Sequence, residues 1–180
     1  MKVLGIDPGT AVLGFGVVET GAGRQPRLLE CGTLTTPPRD PLPSRLRLIH
    51  EGTTALLVRH QPDAMAVESA FHGKNVRTTV VLSHARGVIL LAAEQRGVPV
   101  AEYSPAQVKK TIVGRGAALK PQVAYMVAQL LRLRAAPEPA DAADGVAVAL
   151  AHLMIATRQA AFFRHVPGAG ARPPGIRPLR

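Results

Sequence analysis

Three observations predict an α/β domain built on a five-stranded mixed sheet, with three antiparallel strands followed by parallel ones and helices on its faces. Three strand-like segments come first with no helix between them. Strand and helix patterns then alternate, and the last third of the 180 residues reads as helices. Taken in order, residues 2–7 read as a buried strand broken by Pro8-Gly9-Thr10. Residues 14–19 resume as the second arm of a hairpin, and 27–36 form a third strand. Pro37, Pro38, Pro41 and Pro43 mark a loop. Ser44 is the candidate N-cap of a helix in which Leu46, Ile49, Thr53, Leu56 and Leu57 recur at helical spacing, and Gln61-Pro62-Asp63 ends it. Residues 64–68 form a short buried strand. Residues 79–95 form a helix with Val81, Ala85, Val88 and Ala92 on one face, and 98–103 form the fifth strand. Residues 105–112, 120–133 and 141–157 are predicted helices. The domain is thus expected to span 1–157. Residues 158–180, rich in Pro, Gly and Arg, are expected to be a disordered basic tail.

Charge narrows the function classes. The chain carries 22 Lys and Arg against 12 Asp and Glu, a net charge of +10. Between Phe71 and Arg134, ten cations face only Glu94 and Glu102. A field of that sign attracts a polyanion, and binding through it is salt-sensitive. Cys31 is the single cysteine, which excludes an internal disulfide and any cysteine-built zinc site. A lone thiol and an acid as early as Asp7 fit a cytoplasmic protein without a leader. No apolar run is expected to reach the roughly 20 residues of a membrane span.

Against this basic background four acids stand at the ends of elements: Asp7 on the first strand, Glu68 on the fourth, and Asp141 and Asp144 at the start of the last helix. The i, i+3 spacing of the last pair puts both on one helix face, and the first turn favours negative charge. Each has a plainer reading. Asp7 before Pro-Gly suits a turn, Glu68 alone says little, and the late pair could simply cap a helix. Together on a cationic chain they suit a site for Mg²⁺, which prefers oxygen donors. Two such ions about 4 Å apart can hold the attacking and leaving oxygens of a phosphodiester. Carboxylates packed that closely repel one another without cations.

Several longer motifs follow one another in a particular order: Gly5-Ile6-Asp7-Pro8-Gly9-Thr10 with Gly14-Phe15-Gly16, Val67-Glu68 with Phe71, Ala85-Arg86-Gly87, Tyr103-Ser104-Pro105-Ala106-Gln107-Val108-Lys109 leading to Val113-Gly114-Arg115-Gly116, Lys120, and Ala140-Asp141-Ala142-Ala143-Asp144-Gly145. In order and spacing they resemble the RuvC family of Holliday junction resolvases, within the RNase H-like superfamily. The resemblance covers residues 1 to about 157. It implies a homodimer that binds four-way junction DNA and nicks two strands symmetrically, leaving 5′-phosphate and 3′-hydroxyl ends, with RuvA–RuvB as the partner branch-migration complex. It implies two Mg²⁺ per site, with Mn²⁺ as a possible substitute, held by Asp7, Glu68, Asp141 and Asp144. Lys109 and Lys120 match basic residues near the scissile strand, and Phe71 an aromatic at the junction centre. Some relatives carry His where this chain has Asp141.

Local composition agrees with these roles. Phe71 sits in a polar segment beside His72-Gly73-Lys74-Asn75, where a ring can stack on a splayed base while Lys74 and Arg77 meet phosphates. Lys110 and Arg115 add cations near Lys109, and which of Lys109 and Lys110 faces the phosphate stays open. The helix over 79–95, with Ser83, Ala85 and Gly87, is the candidate dimer contact. Three rival readings remain at this point. An actin-like ATPase or sugar kinase also opens on a Gly-x-Asp-x-Gly-Thr loop but needs two related domains. The others are a RuvC-like enzyme acting on another nucleic acid and a non-catalytic DNA-binding module.

Overall fold

The computed structural model describes residues 1–20, 25–69 and 76–165, the last six as backbone only. The elements follow in the order β1 (Lys2–Asp7), β2 (Val12–Thr20), β3 (Pro26–Thr35), α1 (Leu42–His60), β4 (Ala64–Glu68), α2 (Val76–Glu94), β5 (Val100–Tyr103), α3 (Pro105–Val113), α4 (Lys120–Leu131) and α5 (Ala140–His165). The five strands form one sheet in the order β3-β2-β1-β4-β5. β1 pairs antiparallel with β2, and β2 antiparallel with β3; β4 runs parallel to both β1 and β5. The mixed sheet predicted from the sequence is therefore the one observed.

Side chains alternate between the faces of a strand, and here each face has its own core. Leu4, Ile6, Leu13, Phe15, Val17, Met65 and Val67 pack under α1 and α2 with Ile49, Leu56, Ala85 and Ile89. Val3, Val18 and Ala66 pack under α3, α4 and α5 with Val108, Val123, Val146 and Leu150. The same alternation puts Gly5 and Asp7 on the α5 face of β1, and Glu68 on the α5 face of β4. Both acids thus leave the sheet on one side, at one end.

α5 lies unusually close to that face. An added Cβ on Gly14 would come within 1.8 Å of the Asp141 carbonyl oxygen, and one on Gly145 within 2.6 Å of the Phe15 backbone. Backbone meets backbone there because neither residue has a side chain. Ala142, Ala143, Ala147, Ala149 and Ala151 continue the small-residue contact and are buried.

Several boundaries differ from the sequence reading. α1 starts at Leu42 behind Pro41 with no side-chain cap, so Ser44 lies inside the helix. Proline at the first turn, where the N–H is unpaired anyway, starts the helix instead. The buried residues of α2 are Ala85, Ile89, Ala92 and Ala93; Val81 and Val88 lie at the edge of that face. α5 runs to His165, eight residues past the predicted end, and the rest of the basic tail lies outside the described residues. α2 and α5 are also each long and apolar enough, by length and composition, to cross a membrane, contrary to the expectation from the sequence. The small residues Ala and Gly carry that length without forming an obvious apolar run.

Candidate active site

Three different elements supply the acids, and the fold fixes each. Asp7 is the last residue of β1, opposite Gly14 of β2. Glu68 is the last residue of β4, opposite Tyr103 of β5. Because Ile6 pairs with Val67, the next residue of each neighbouring strand is an acid. Asp141 lies in the first turn of α5, with Asp144 on the same face. The glycine contact beneath α5 then lowers that face onto the end of β1.

Carboxylate oxygens of Asp7, Asp141 and Asp144 lie within 4.8 Å of one another. Glu68 is not in that tight group. It lines, with Asp7, Asp144, Lys109 and Lys120, a cavity of about 110 Å³. The four predicted acids therefore converge on one place, with Glu68 on the far wall. An all-oxygen donor set suits a hard cation such as Mg²⁺ or Mn²⁺.

Electrostatics show what the crowding costs. Burial, then the charge of Asp144, pushes the Asp7 carboxyl up to about 6. Burial, then the charges of Asp7 and Asp144, pushes Glu68 up to about 7. Lys120 offsets part of the repulsion. Its Nζ donates to Asp144 Oδ2 at 2.5 Å, and that bond raises the lysine's own pKa. Lys120 is the first residue of α4, and Lys109 lies midway along α3. Val108 and Ile112 of α3 and Val123 and Val127 of α4 anchor both helices in the α5-side core.

α3 is also locally well specified. The Ser104 hydroxyl accepts from the Gln107 N–H, and the Gln107 side chain accepts from the Ser104 N–H. This reciprocal cap fixes the start of the helix that carries Lys109. The cavity also resolves the lysine pair: Lys109 lines it, whereas the exposed Lys110 does not. Arg115 is exposed between α3 and α4, and Arg77 is exposed in the first turn of α2. Phe71 and Lys74 lie outside the described residues.

Two features escaped the sequence reading. Tyr103, beside Glu68 in the sheet, shares a 2.8 Å hydrogen bond between its hydroxyl and His152 Nδ1 of α5. Its carbonyl accepts from the Ser69 N–H at 2.8 Å. Tyr103 thus ties the end of β4 to α5. Pairing of residues 49 positions apart leaves no local signal. The second feature is the close approach at Gly14 and Gly145, whose glycines were visible only as part of a motif.

Comparisons with known proteins agree with this architecture. The sequence profile of "Crossover junction endodeoxyribonuclease RuvC" matches residues 3–152. The chain is 49% identical over 153 residues to the protein of that name from Syntrophomonas wolfei, covering 85% of this chain and 88% of the relative. It is 46% identical over 176 residues to the one from a Parafrankia species, covering 98% and 97%. Among solved structures it is similar to Thermus thermophilus RuvC in complex with Holliday junction substrate, with a TM-score of 0.80 and 37% identity over 88% of this chain and 96% of that one. A mixed sheet with acids gathered at one end, matched in sequence along most of the chain, places this protein in the RuvC family of crossover junction endodeoxyribonucleases.

Proposed function

We propose that this protein is a structure-selective endonuclease that resolves Holliday junctions by symmetric paired nicks, leaving 5′-phosphate and 3′-hydroxyl ends. The observation that carries the reading is the clustering of Asp7, Asp141 and Asp144 within 4.8 Å, with Lys109 and Lys120 on the same cavity as Asp7, Glu68 and Asp144. A relative seen with a Holliday junction supports the choice of DNA substrate.

In this reading Asp7, Glu68, Asp141 and Asp144 hold two Mg²⁺, with Mn²⁺ as a substitute. Bound there, the ions supply an activated water and offset charge on the leaving oxygen. The protein's own part is positional. Two rigid strand ends and a clamped helix hold the oxygens at fixed separation, which reduces rearrangement during the reaction. Lys120 and Lys109 offer positive charge to the phosphate, and Lys120 is drawn from Asp144 as cations take up that carboxylate. Arg77, Lys110 and Arg115 contact the DNA backbone, and Phe71 and Lys74 act at the junction centre.

The working unit is a homodimer formed through α2. Val76, Val80 and Leu91 are 76%, 49% and 49% exposed. They share one stripe with Gly87, whose added Cβ would meet nothing within 4 Å. Two-fold symmetry then presents two sites to two strands of one junction. The family resemblance adds RuvA–RuvB as partner, a place in recombination and repair, and the cytoplasm as location.

The test compares a synthetic immobile junction with linear duplex, in Mg²⁺ or EDTA, for wild type and Asp7→Asn. Paired nicks on the junction alone are expected, abolished by EDTA and by Asp7→Asn, while Asp7→Asn still binds. Undiminished cutting by Asp7→Asn would exclude the metal assignment.

A further inference from the structure

Immediately beyond Lys120 lies a second depression that the acid cavity does not explain. Val113 at the end of α3 and Pro121, Gln122, Tyr125 and Met126 of α4 enclose about 380 Å³. Pro121, Gln122, Tyr125 and Met126 share a face of α4, at spacings of three and four residues. Tyr125 is 62% exposed, and Leu119 just before the helix is 67% exposed. Large apolar surface of this kind is costly to leave in water unless something covers it.

The surroundings indicate what does. Over residues 103–137, which include both α3 and α4, the chain carries Lys109, Lys110, Arg115, Lys120, Arg132 and Arg134 and no acid. A protein partner docking its own apolar residues here would have to desolvate or neutralise these cations. A nucleic acid strand suits both features, since its phosphates meet the cations and its bases and sugars offer flat apolar faces. The groove is also continuous with the active site: Lys120 borders the acid cavity, and Pro121, next in sequence, borders the groove. Five residues of helix separate Lys120 from Tyr125, a rise of about 7.5 Å. That is roughly two nucleotides along one strand.

We propose that the α3–α4 groove is a DNA subsite in which the Tyr125 ring packs against a nucleotide about two positions from the scissile phosphate. The subsite rests on the nuclease reading above. Tyr125 acts as a positioning residue: it sets where along the strand the backbone lies over Asp7 and Asp144. Its contribution comes from the face of the ring, so the hydroxyl is dispensable and the contact is insensitive to salt.

The experiment measures binding of a fluorescent immobile junction by anisotropy in the uncleaving Asp7→Asn protein, over a series of salt concentrations. Adding Tyr125→Ala should weaken binding by about tenfold, as expected for loss of one base–aromatic contact, with the slope against salt unchanged. Tyr125→Phe should restore the parent affinity. Lys110→Ala, in contrast, should reduce the salt slope by about one. Tyr125 is exposed, so the melting temperature should be the same throughout. Parent affinity in Tyr125→Ala would overturn the subsite and leave the groove to a protein partner. A loss that Tyr125→Phe fails to restore would overturn the stacking role. An Asp7→Asn parent that binds no junction would sink the nuclease reading itself, an outcome distinct from either.

Discussion

α2 and α5 are each apolar and long enough to cross a membrane, yet 56% of the apolar window of α5 is buried inside the protein against 22% of that of α2. The difference lies in what each helix offers its neighbour. α5 presents Gly145 and a run of alanines, so its backbone settles onto β1 and β2 at Gly5, Gly14 and Gly16. α2 buries one side, through Ala85, Ile89, Ala92 and Ala93, and leaves Val76, Val80 and Leu91 outward. Equal hydrophobicity therefore serves opposite ends. In α5 it makes a rigid mount for Asp141 and Asp144, whereas in α2 it leaves a surface free to pair with another copy. Each half of that contrast can be broken separately.

The largest effect is expected at the α5 contact. Gly145→Val would drive a branched side chain into the Phe15 backbone, with no flexible neighbour to give way. A loss of more than ~3 kcal/mol is expected from such overpacking, read as a lower urea midpoint. The matching change in α2, Gly87→Ala, meets open space and should stabilise the protomer by up to about 1 kcal/mol through helix propensity. Similar outcomes at the two sites would erase the distinction between the helices.

Next comes the outward stripe of α2. Leu91→Asp should convert the proposed dimer to monomer in sedimentation velocity while the thermal unfolding of the protomer changes little. A dimer that persists would move the interface elsewhere.

The mount itself is probed by Lys120→Met. With Nζ gone from its 2.5 Å contact with Asp144, Mn²⁺ should bind about tenfold more tightly in calorimetry without DNA, because two like charges no longer compete for one carboxylate. Lys109→Met, which removes a cation of the same cavity with no hydrogen bond to the acids among the described contacts, should change affinity less.

The smallest expected effect is a pH slope. Asp7 and Glu68 titrate at about 6 and about 7, above their ordinary values of 3.8 and 4.5. The folded state therefore holds protons that the unfolded state has released. Stability from these two groups is full below about pH 4 and is lost as pH rises through 6 to 7. In EDTA the unfolding free energy should fall over that window. Asp7→Asn should make the fall shallower, and saturating Mg²⁺ should reverse it by favouring the charged carboxylates. A flat profile in EDTA would mean that the acids do not crowd one another in solution.

Much of this was legible in the chain. Period-two patterning in β1 and β4 identified strands ending in acids, and turn residues marked where they stop. The spacing of Asp141 and Asp144 put both on one helical face. Local signals were weaker at boundaries. Pro41 outweighed the Ser44 cap, and the apolar pattern of α5 ran on beyond Thr157. Identical charges cannot be ranked by spacing, so Lys109 and Lys110 were separable only once α3 was packed.

Residue order alone established the sheet, the two late acids on one helix and the positive field around them, because each depends on neighbours a few positions apart. The meeting of Asp7 with Asp141 and Asp144, the capture of Lys120 by Asp144, and the tie from Tyr103 to His152 came only with packing. These contacts join residues 24 to 137 positions apart. Backbone approach at a few glycines, set by the absence of a Cβ, brings them within reach.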